Sequence, residues 1–460
     1  MLALFVVGCV HYESKPLTAA SGADRLEART FNEPGLRRFV ETNRPGISRP
    51  WPLPVWELTD LTLAAYYFHP DLEIARAKLA GAEAAVSTAG ARPNPTAGFS
   101  PTYDTSDSGG LSPWTLGFAL DVPIETAGKR DYRLAQAQHT ANASRLNFAS
   151  AAWSVRSRVH RSMVELQGAK RTQEILAEHL GVENQTLDLL EARLKAGESS
   201  MTDVQFVRVA ASQTALQLIS AENESTQARI RLANALGVPA SAMAGIALAP
   251  AEMDRLDIPA DAAALRREAL LNRADVLGAL ADYDASESAL QLEIAKQYPD
   301  IHLGPGYAWD QGQKRYSLGF SFALPVFDRN QGPIAEAEAH RRQAAAGFNA
   351  LQARVVSEVE LALVGYRDAL RKLDTAGTLI ARHRERLKAA EDALAAGAID
   401  RVEVLQLQSE LGTSELARAA ASNEVQLAMC SLEDAMQRPV ATVGATEVPV
   451  ALLNLKIESP

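Results

Sequence analysis

Few side chains in this sequence are placed to do chemistry, and none stands in a catalytic arrangement. The two cysteines, Cys9 and Cys430, cannot build a disulfide framework, and no CxxC pair offers zinc ligands. The eight histidines are scattered and form no HExxH pair. There is no phosphate-binding P-loop and no GxSxG nucleophile elbow. Gly304-Pro305-Gly306 leads into no helix that could take a dinucleotide. The pattern implies no reaction, no cofactor and no protein-held metal. What remains is a pair of acids, Asp203 and Glu403, set 200 residues apart. Each follows a glycine, Gly197 or Gly397, that closes a long helical run. A carboxylate in the first turn of a helix balances the positive end of the dipole, and that alone accounts for both positions.

Cys9 has a different context. Met1 to Gly8 is a short apolar run, and Val6-Val7-Gly8-Cys9 looks like a lipobox, in which a small residue precedes a cysteine that is cleaved and acylated. The run lacks a basic flank, which a start upstream of Met1 would supply. Lipidation of Cys9 is therefore expected. Cys430 reads as a small buried residue of a helix.

The elements that carry these residues are long. The chain has 460 residues, with 46 basic against 56 acidic and a net charge of −10. No basic cluster stands out, so nucleic acid is not an expected partner. Aromatics make only 6%, low for one large core, whereas alanines such as Ala82, Ala84 and Ala85 recur and suit close-packed helices. No segment reaches the roughly 18 uninterrupted apolar residues of a transmembrane helix.

The chain is also written twice. Asp71 corresponds to Asp275, and Pro95, Pro101 and Tyr103 correspond to Pro299, Pro305 and Tyr307, all offset by 204. Leu116-Gly117-Phe118 and Pro123 match Leu318-Gly319-Phe320 and Pro325, offset by 202. Val155, Ala196-Gly197 and Val204 match Val355, Ala396-Gly397 and Val404, offset by 200. This divides the chain into a leader segment 1–9, an arm 10–55, a first repeat 56–237, a linker 238–262, a second repeat 263–440 and a tail 441–460.

Each repeat changes period along its length. From Val155 a seven-residue repeat visits Val159, Leu166, Leu176, Leu187, Leu190 and Leu194; nine of its twelve positions are apolar. The copy from Val355 has eleven of twelve, with His383 where the first has Glu183. That is a coiled-coil seam. The 74 residues from Pro123 to Gly197, mostly helical, would make a rod of about 110 Å. Before each rod the period is two. Trp114, Leu116, Phe118, Leu120 and Val122 alternate with small or polar residues, as do Tyr316, Leu318, Phe320, Phe322 and Leu324. Their partner strands are 96–103 and 301–309, which gives hairpins at 96–122 and 300–324 with polar loops at Asp104–Pro113 and Asp310–Arg315. Pro101 and Pro305 each remove a ladder donor, so local bulges or irregular ends are expected there. Pro123 and Pro325 are expected to mark the junctions, each ending a strand and opening a helix at its first position. The fold class is mainly α with a small β part: a duplicated strand hairpin plus long coiled-coil helices.

One face of each hairpin is apolar, and the other is small and polar. That pattern suits a membrane barrel, apolar toward lipid and polar toward a wet lumen. Asp121 and His302 would face that lumen, His302 as a solvated polar residue rather than a metal ligand. Four strands cannot close a barrel, and open edges are not tolerated in lipid, so several chains must share one. Two chains would give eight strands and three would give twelve; the pattern does not choose.

The chain resembles the TolC family of outer-membrane efflux proteins over about residues 56–440. The resemblance rests on Trp56-Glu57-Leu58-Thr59, on His69-Pro70-Asp71-Leu72, and on the paired Leu-Gly-Phe…Pro strand ends. It rests also on Leu194-Lys195-Ala196-Gly197…Thr202-Asp203-Val204-Gln205 and Leu394-Ala395-Ala396-Gly397…Glu403-Val404-Leu405. The arm with Tyr12…Pro16-Leu17 and the stretch Tyr66 to Asp71 look most like its cobalt–zinc–cadmium branch. The resemblance implies a homotrimer, a twelve-stranded outer-membrane barrel continued by a helical barrel across the periplasm of a Gram-negative cell. It implies a passive duct in a tripartite efflux system, served by a periplasmic adaptor and an inner-membrane pump, exporting metal ions or small toxic compounds. It also implies that Cys9 carries a lipid. Gly197, Thr202, Gly397 and Arg401 would lie at periplasmic tips that touch the adaptor. Asp203 and Glu403 would ring a closed entrance, six carboxylates in three chains, with Gln406 where some members have a further acid. Competing functions are a periplasmic adaptor or coiled-coil scaffold, and a duct for type I protein secretion.

Overall fold

A computed structural model describes residues 11–44, 50–105, 109–110, 112–249 and 262–440. Cys9, residues 250–261 of the linker and the 441–460 tail lie outside the described residues. The arm carries two short helices, α1 (Ala19–Glu27) and α2 (Pro34–Asn43). The first repeat then runs α3 (Leu58–Phe68), α4 (Pro70–Gly90), β1 (Thr96–Tyr103), β2 (Trp114–Ile124), α5 (Lys129–Ala196) and α6 (Met201–Leu236). The second runs α7 (Ala262–Asn272), α8 (Ala274–Ala295), β3 (Ile301–Asp310), β4 (Gln313–Phe322), α9 (Gln331–Ala395) and α10 (Arg401–Met436). At 68 and 65 residues, α5 and α9 are rods of about 100 Å. None of the described helices is long and apolar enough to cross a membrane.

Each rod is held by the seam its seven-residue period marks out. Val155, Val159, Leu166, Leu176 and Leu190 are buried on α5, and Val355, Val359, Tyr366, Ala369 and Ile380 on α9. Side by side the rods lie in the order α6, α5, α10, α9, with α4 packed on α5 and α8 packed on both α5 and α9. The arm, α3 and the 238–249 segment wrap the middle around Trp56, which is fully buried and extends a backbone bridge to Leu248.

Both repeats tie the rod to the break between the two preceding helices with a salt bridge, but the rod residue changes sign and its partner shifts from Asp71 to Arg273, the counterpart of His69. Arg158 of α5 reaches Asp71 at 2.6 Å, where α3 breaks into α4. In the second copy the rod position is Glu358, and it meets Arg273 at 2.7 Å where α7 breaks into α8. Pro70 makes the first break, taking the first position of α4 where a missing N–H costs nothing.

The four strands form one antiparallel sheet in the order β1-β2-β3-β4. The register is continuous. Pro101 pairs with Leu116 and Pro305 with Leu318, so neither proline forms a bulge; the irregularity is confined to Pro305, where the ladder between Leu120–Asp121 and Gly304–Pro305 is interrupted with no shift of register. The second hairpin is tighter than the expected 310–315 loop. Asp310 pairs with Gln313, and the turn is Gln311-Gly312 with both φ positive, at 48° and 89°. Two left-handed residues match the strand twist, which lets the strands run further toward the turn.

The junctions also differ from expectation. Pro123 does not open a helix. It sits inside β2 opposite His302, beyond the end of β1, where no strand needs its missing donor. Pro325 follows β4, which ends at Phe322, but α9 starts only at Gln331. Each rod is instead preceded by left-handed residues, Ala127 and Gly128 before α5 and Asn330 before α9. The chain needs a positive φ to turn from sheet into helix, and proline, locked near −65°, cannot supply it.

Candidate functional site

The sheet has two unlike faces. The register gathers Phe99, Tyr103, Trp114, Leu116, Phe118, Leu120, Leu303, Tyr307, Trp309, Tyr316, Leu318, Phe320 and Phe322 on one side. Phe99 lies against Phe118 at 4.7 Å between ring centroids, and Tyr103 against Trp114 at 5.0 Å. Among the described residues nothing covers this face: Leu318 is 76% exposed and Phe320 74%. An exposed apolar face of this extent marks contact with lipid or protein. The other face carries Ser100, Thr115, Gly117, Asp121, His302, Gly304, Gly306, Ser317 and Gly319. There His302 meets Asp121 at 3.0 Å, and Asp310 accepts from Thr115 at 2.8 Å. His302 is thus partnered by a carboxylate rather than merely solvated. Among the described residues no cluster of three or more His, Cys, Asp or Glu could hold a metal ion.

Sheet and rods are locked at the junction. Asp300, just before β3, accepts from Lys129 at 2.7 Å and from the Thr126 backbone at 3.0 Å, tying the second repeat to the first. Arg130 and Arg133 of α5 donate to the carbonyls of Gly90 and Ala89 at 2.8 and 2.9 Å, closing the C-terminal end of α4 with positive charge.

The opposite ends of the rods are two matched turns. Gly197 has φ 79° and Gly397 φ 73°. In each the glycine N–H donates to a leucine carbonyl, Leu194 or Leu394, and the next N–H reaches one residue further back, to Arg193 or Ala393. This double bond closes the helix and requires the left-handed residue. The returning helices are capped differently. Ser200 and Asp203 form a capping box, Ser200 Oγ accepting from the Asp203 N–H at 3.1 Å and the Ser200 N–H donating to Asp203 Oδ2 at 3.2 Å. The Ser200 hydroxyl and backbone hold Asp203 below the usual carboxylate range. On the second turn Asp400 caps α10, accepting from the Glu403 N–H at 3.1 Å, and Arg193 from the first turn reaches Asp400 at 2.8 Å. Leu190, Val204 and Val402 pack together beneath. So Asp203 and Glu403 stand on adjoining tips of one chain; Thr202, Glu403, Gln406 and Arg401 are all exposed, and Asp203 doubles as a helix cap. The Arg193–Asp400 tie was not legible as a pair, although Asp400-Arg401-Val402-Glu403 has the form of a capping signature.

A largely apolar face broken only near the turn by Lys314, a small and polar opposite face, sheet edges with no partner strand among the described residues and a rod of helix pairs suit a wall segment of a channel. Comparison with known proteins decides the family: the outer membrane efflux protein family matches residues 65–238 and 265–436. The chain belongs to that family. Among relatives, the cobalt-zinc-cadmium resistance protein CzcC of Cupriavidus metallidurans is 26% identical over 217 residues, 47% of this chain and 51% of that protein. The pyoverdine export outer membrane protein OpmQ of Pseudomonas aeruginosa is 26% identical over 243 residues, 51% of this chain and 50% of that protein. The chain thus spans about half the length of the curated relatives it matches. The Campylobacter jejuni CmeC outer membrane channel superposes with a TM-score of 0.69 at 15% identity, covering 87% of this chain and 89% of that one. At that identity the likeness shows the fold. Efflux-family membership accounts for the doubled hairpin, the seam and the matched tips together.

Proposed function

We propose that this protein is the outer-membrane duct of a tripartite efflux system, a passive exit through which a periplasmic adaptor and an inner-membrane pump discharge substrate from a Gram-negative cell. The observation that carries this is the sheet, apolar and exposed on one face, polar on the other, with β1 and β4 unpaired at its edges. In lipid those edges must be satisfied by further strands. The rods also leave two unlike edges, α6 at one end of the row and α9 at the other. Phe206, Val209, Leu216 and Ile219 lie exposed along α6, as do Leu361 and Val364 along α9. Such unlike edges join head to tail and close a ring. Three copies, giving twelve strands, is the closure the family resemblance implies. Family membership and the likeness to CzcC support metal ions as one substrate class. Cys9 would add a lipid anchor to a chain the barrel already fixes in the membrane.

Asp203 and Glu403 are proposed as the acidic ring of the periplasmic entrance, and Gly197, Thr202, Gly397 and Arg401 as the surface offered to the adaptor. Ring closure brings three copies of each acid around one axis, and crowded carboxylates attract cations. In planar bilayers the Asp203→Asn/Glu403→Gln variant should conduct more and prefer cations less than the parent, whereas Asp24→Asn, the same kind of charge loss on the exposed arm, should change neither. A double variant with the parent's conductance and ion preference would reduce both acids to helix-end residues.

A further inference from the structure

The edge that ends in β4 carries an unusual projection. Beyond Phe322 the chain continues as Leu324-Pro325-Val326-Phe327, with Leu324 and Val326 each 69% exposed and Phe327 completely so. The segment is held in place: the Val326 N–H donates to the Leu324 carbonyl at 2.8 Å, and Asn330 anchors to the backbone of Glu293 at 2.7 Å. A phenylalanine fixed in full contact with solvent leaves about 150–250 Å² of aromatic surface without a partner. The opposite edge has the complementary shape. Between the end of α4 and the start of α5 lies an open cleft of about 710 Å³, lined by Ala85, Ala89, Pro93, Gln136, Ala137 and Thr140. Register puts the two features within a few ladder positions of each other, the start of β1 lying three rows before the Ile124–Ile301–Phe322 row on which β4 ends. β1 begins at Thr96, opposite Asp121, while β4 ends at Phe322, opposite Ile301. Cleft and projection therefore both lie just past the helix-side end of the sheet, on its two outer edges. An ion pair can form there: Asp328, beside Phe327, is exposed, and so is Arg92 at the cleft, whose other charges, Glu125 and Arg133, pair with each other.

We infer that Phe327 of one copy seats in the cleft between α4 and α5 of the next copy, with Asp328 toward Arg92, so that each barrel–rod junction is locked by its neighbour. This rests on the head-to-tail ring proposed above. The seat lies where rigid sheet meets rods, so its loss loosens the ring without touching the strand edges or the tips.

The test uses the full chain in membranes. Oxidising the Ala85→Cys/Phe327→Cys double variant should yield a ladder of disulfide-linked dimers and trimers that neither single variant gives. Phe327→Ala should lower the temperature at which the detergent-extracted oligomer dissociates. Arg92→Asp should do the same, and Arg92→Asp with Asp328→Arg should restore it. If the parent is an oligomer by native mass spectrometry, yet the double variant does not cross-link and Phe327→Ala dissociates at the parent's temperature, the seat is overturned and the ring stands. If the parent is a monomer, the ring fails and the seat with it.

Discussion

Leu318→Arg is expected to abolish assembly in the membrane. Leu318 lies near the middle of β4, pairs with Pro305 and points its side chain out of the apolar face, 76% exposed. On the lipid face of a barrel, an arginine at the bilayer midplane costs about 2–4 kcal/mol, and the proposed trimer would carry the change three times at one depth. The amount of stable oligomer recovered from membranes should fall steeply. Ser317→Arg is the matched control, because the next residue along the strand points to the other face. It should assemble at the parent's level and alter only ion passage. Equal tolerance of the two substitutions would mean that the apolar face does not meet lipid.

Glu433→Ala is expected to be the most destabilising single change in the helical part, by about 3–5 kcal/mol, the usual cost of stripping one partner from a buried ion pair. Glu433 joins the repeats at the middle of the molecule. Its Oε2 meets Arg156 Nη1 at 3.1 Å and His160 Nδ1 at 3.2 Å, and its Oε1 accepts from the Val440 N–H at 3.1 Å. Arg156 also lies over the Trp153 ring at 4.8 Å, and the Trp153 indole donates to Asp434 at 3.2 Å. The alanine variant leaves the Arg156 charge buried and unpaired, and the melting temperature of the helical signal in detergent should drop accordingly. Arg156→Leu with Glu433→Leu should recover part of the loss, since no lone charge then remains. The pH dependence follows the same geometry. Burial disfavours the Glu433 charge, but the His160 bond and Arg156 outweigh it and hold the carboxyl below the usual glutamate range. The contribution is therefore complete above the ordinary glutamate pKa and is lost as pH falls through the lowered value. Nearby Cys430 takes no part: burial, with Glu433 adding to it, pushes its thiol up to about 12.

Residues with local causes were the legible ones. The alternation from Trp114 to Val122 assigns faces because strand side chains alternate strictly, and the register of all four strands agrees with it. The seam from Val155 and the turn glycines Gly197 and Gly397 are likewise local patterns, and they end where the rods end. The prolines misled because a missing N–H shows where a residue is tolerated, not what the chain does next. Pro123 is tolerated in a strand with no partner on one side, and the turn into α5 depends on Ala127 and Gly128 instead. Glu433 with Arg156 and His160, and Asp300 with Lys129, left no trace, since their partners are 171 to 277 residues away and meet only when the repeats pack. The capping role of Asp203 was readable from its position in the first turn; a place in a charged ring depends on chains that must first assemble.

That assembly is the central claim, and the mass of the membrane-extracted protein tests it most directly. Native mass spectrometry in detergent should give a species of three chains, three times the mass of the mature chain measured after denaturation. A two-chain species would mean an eight-stranded closure, and a stable water-soluble monomer would contradict the barrel altogether.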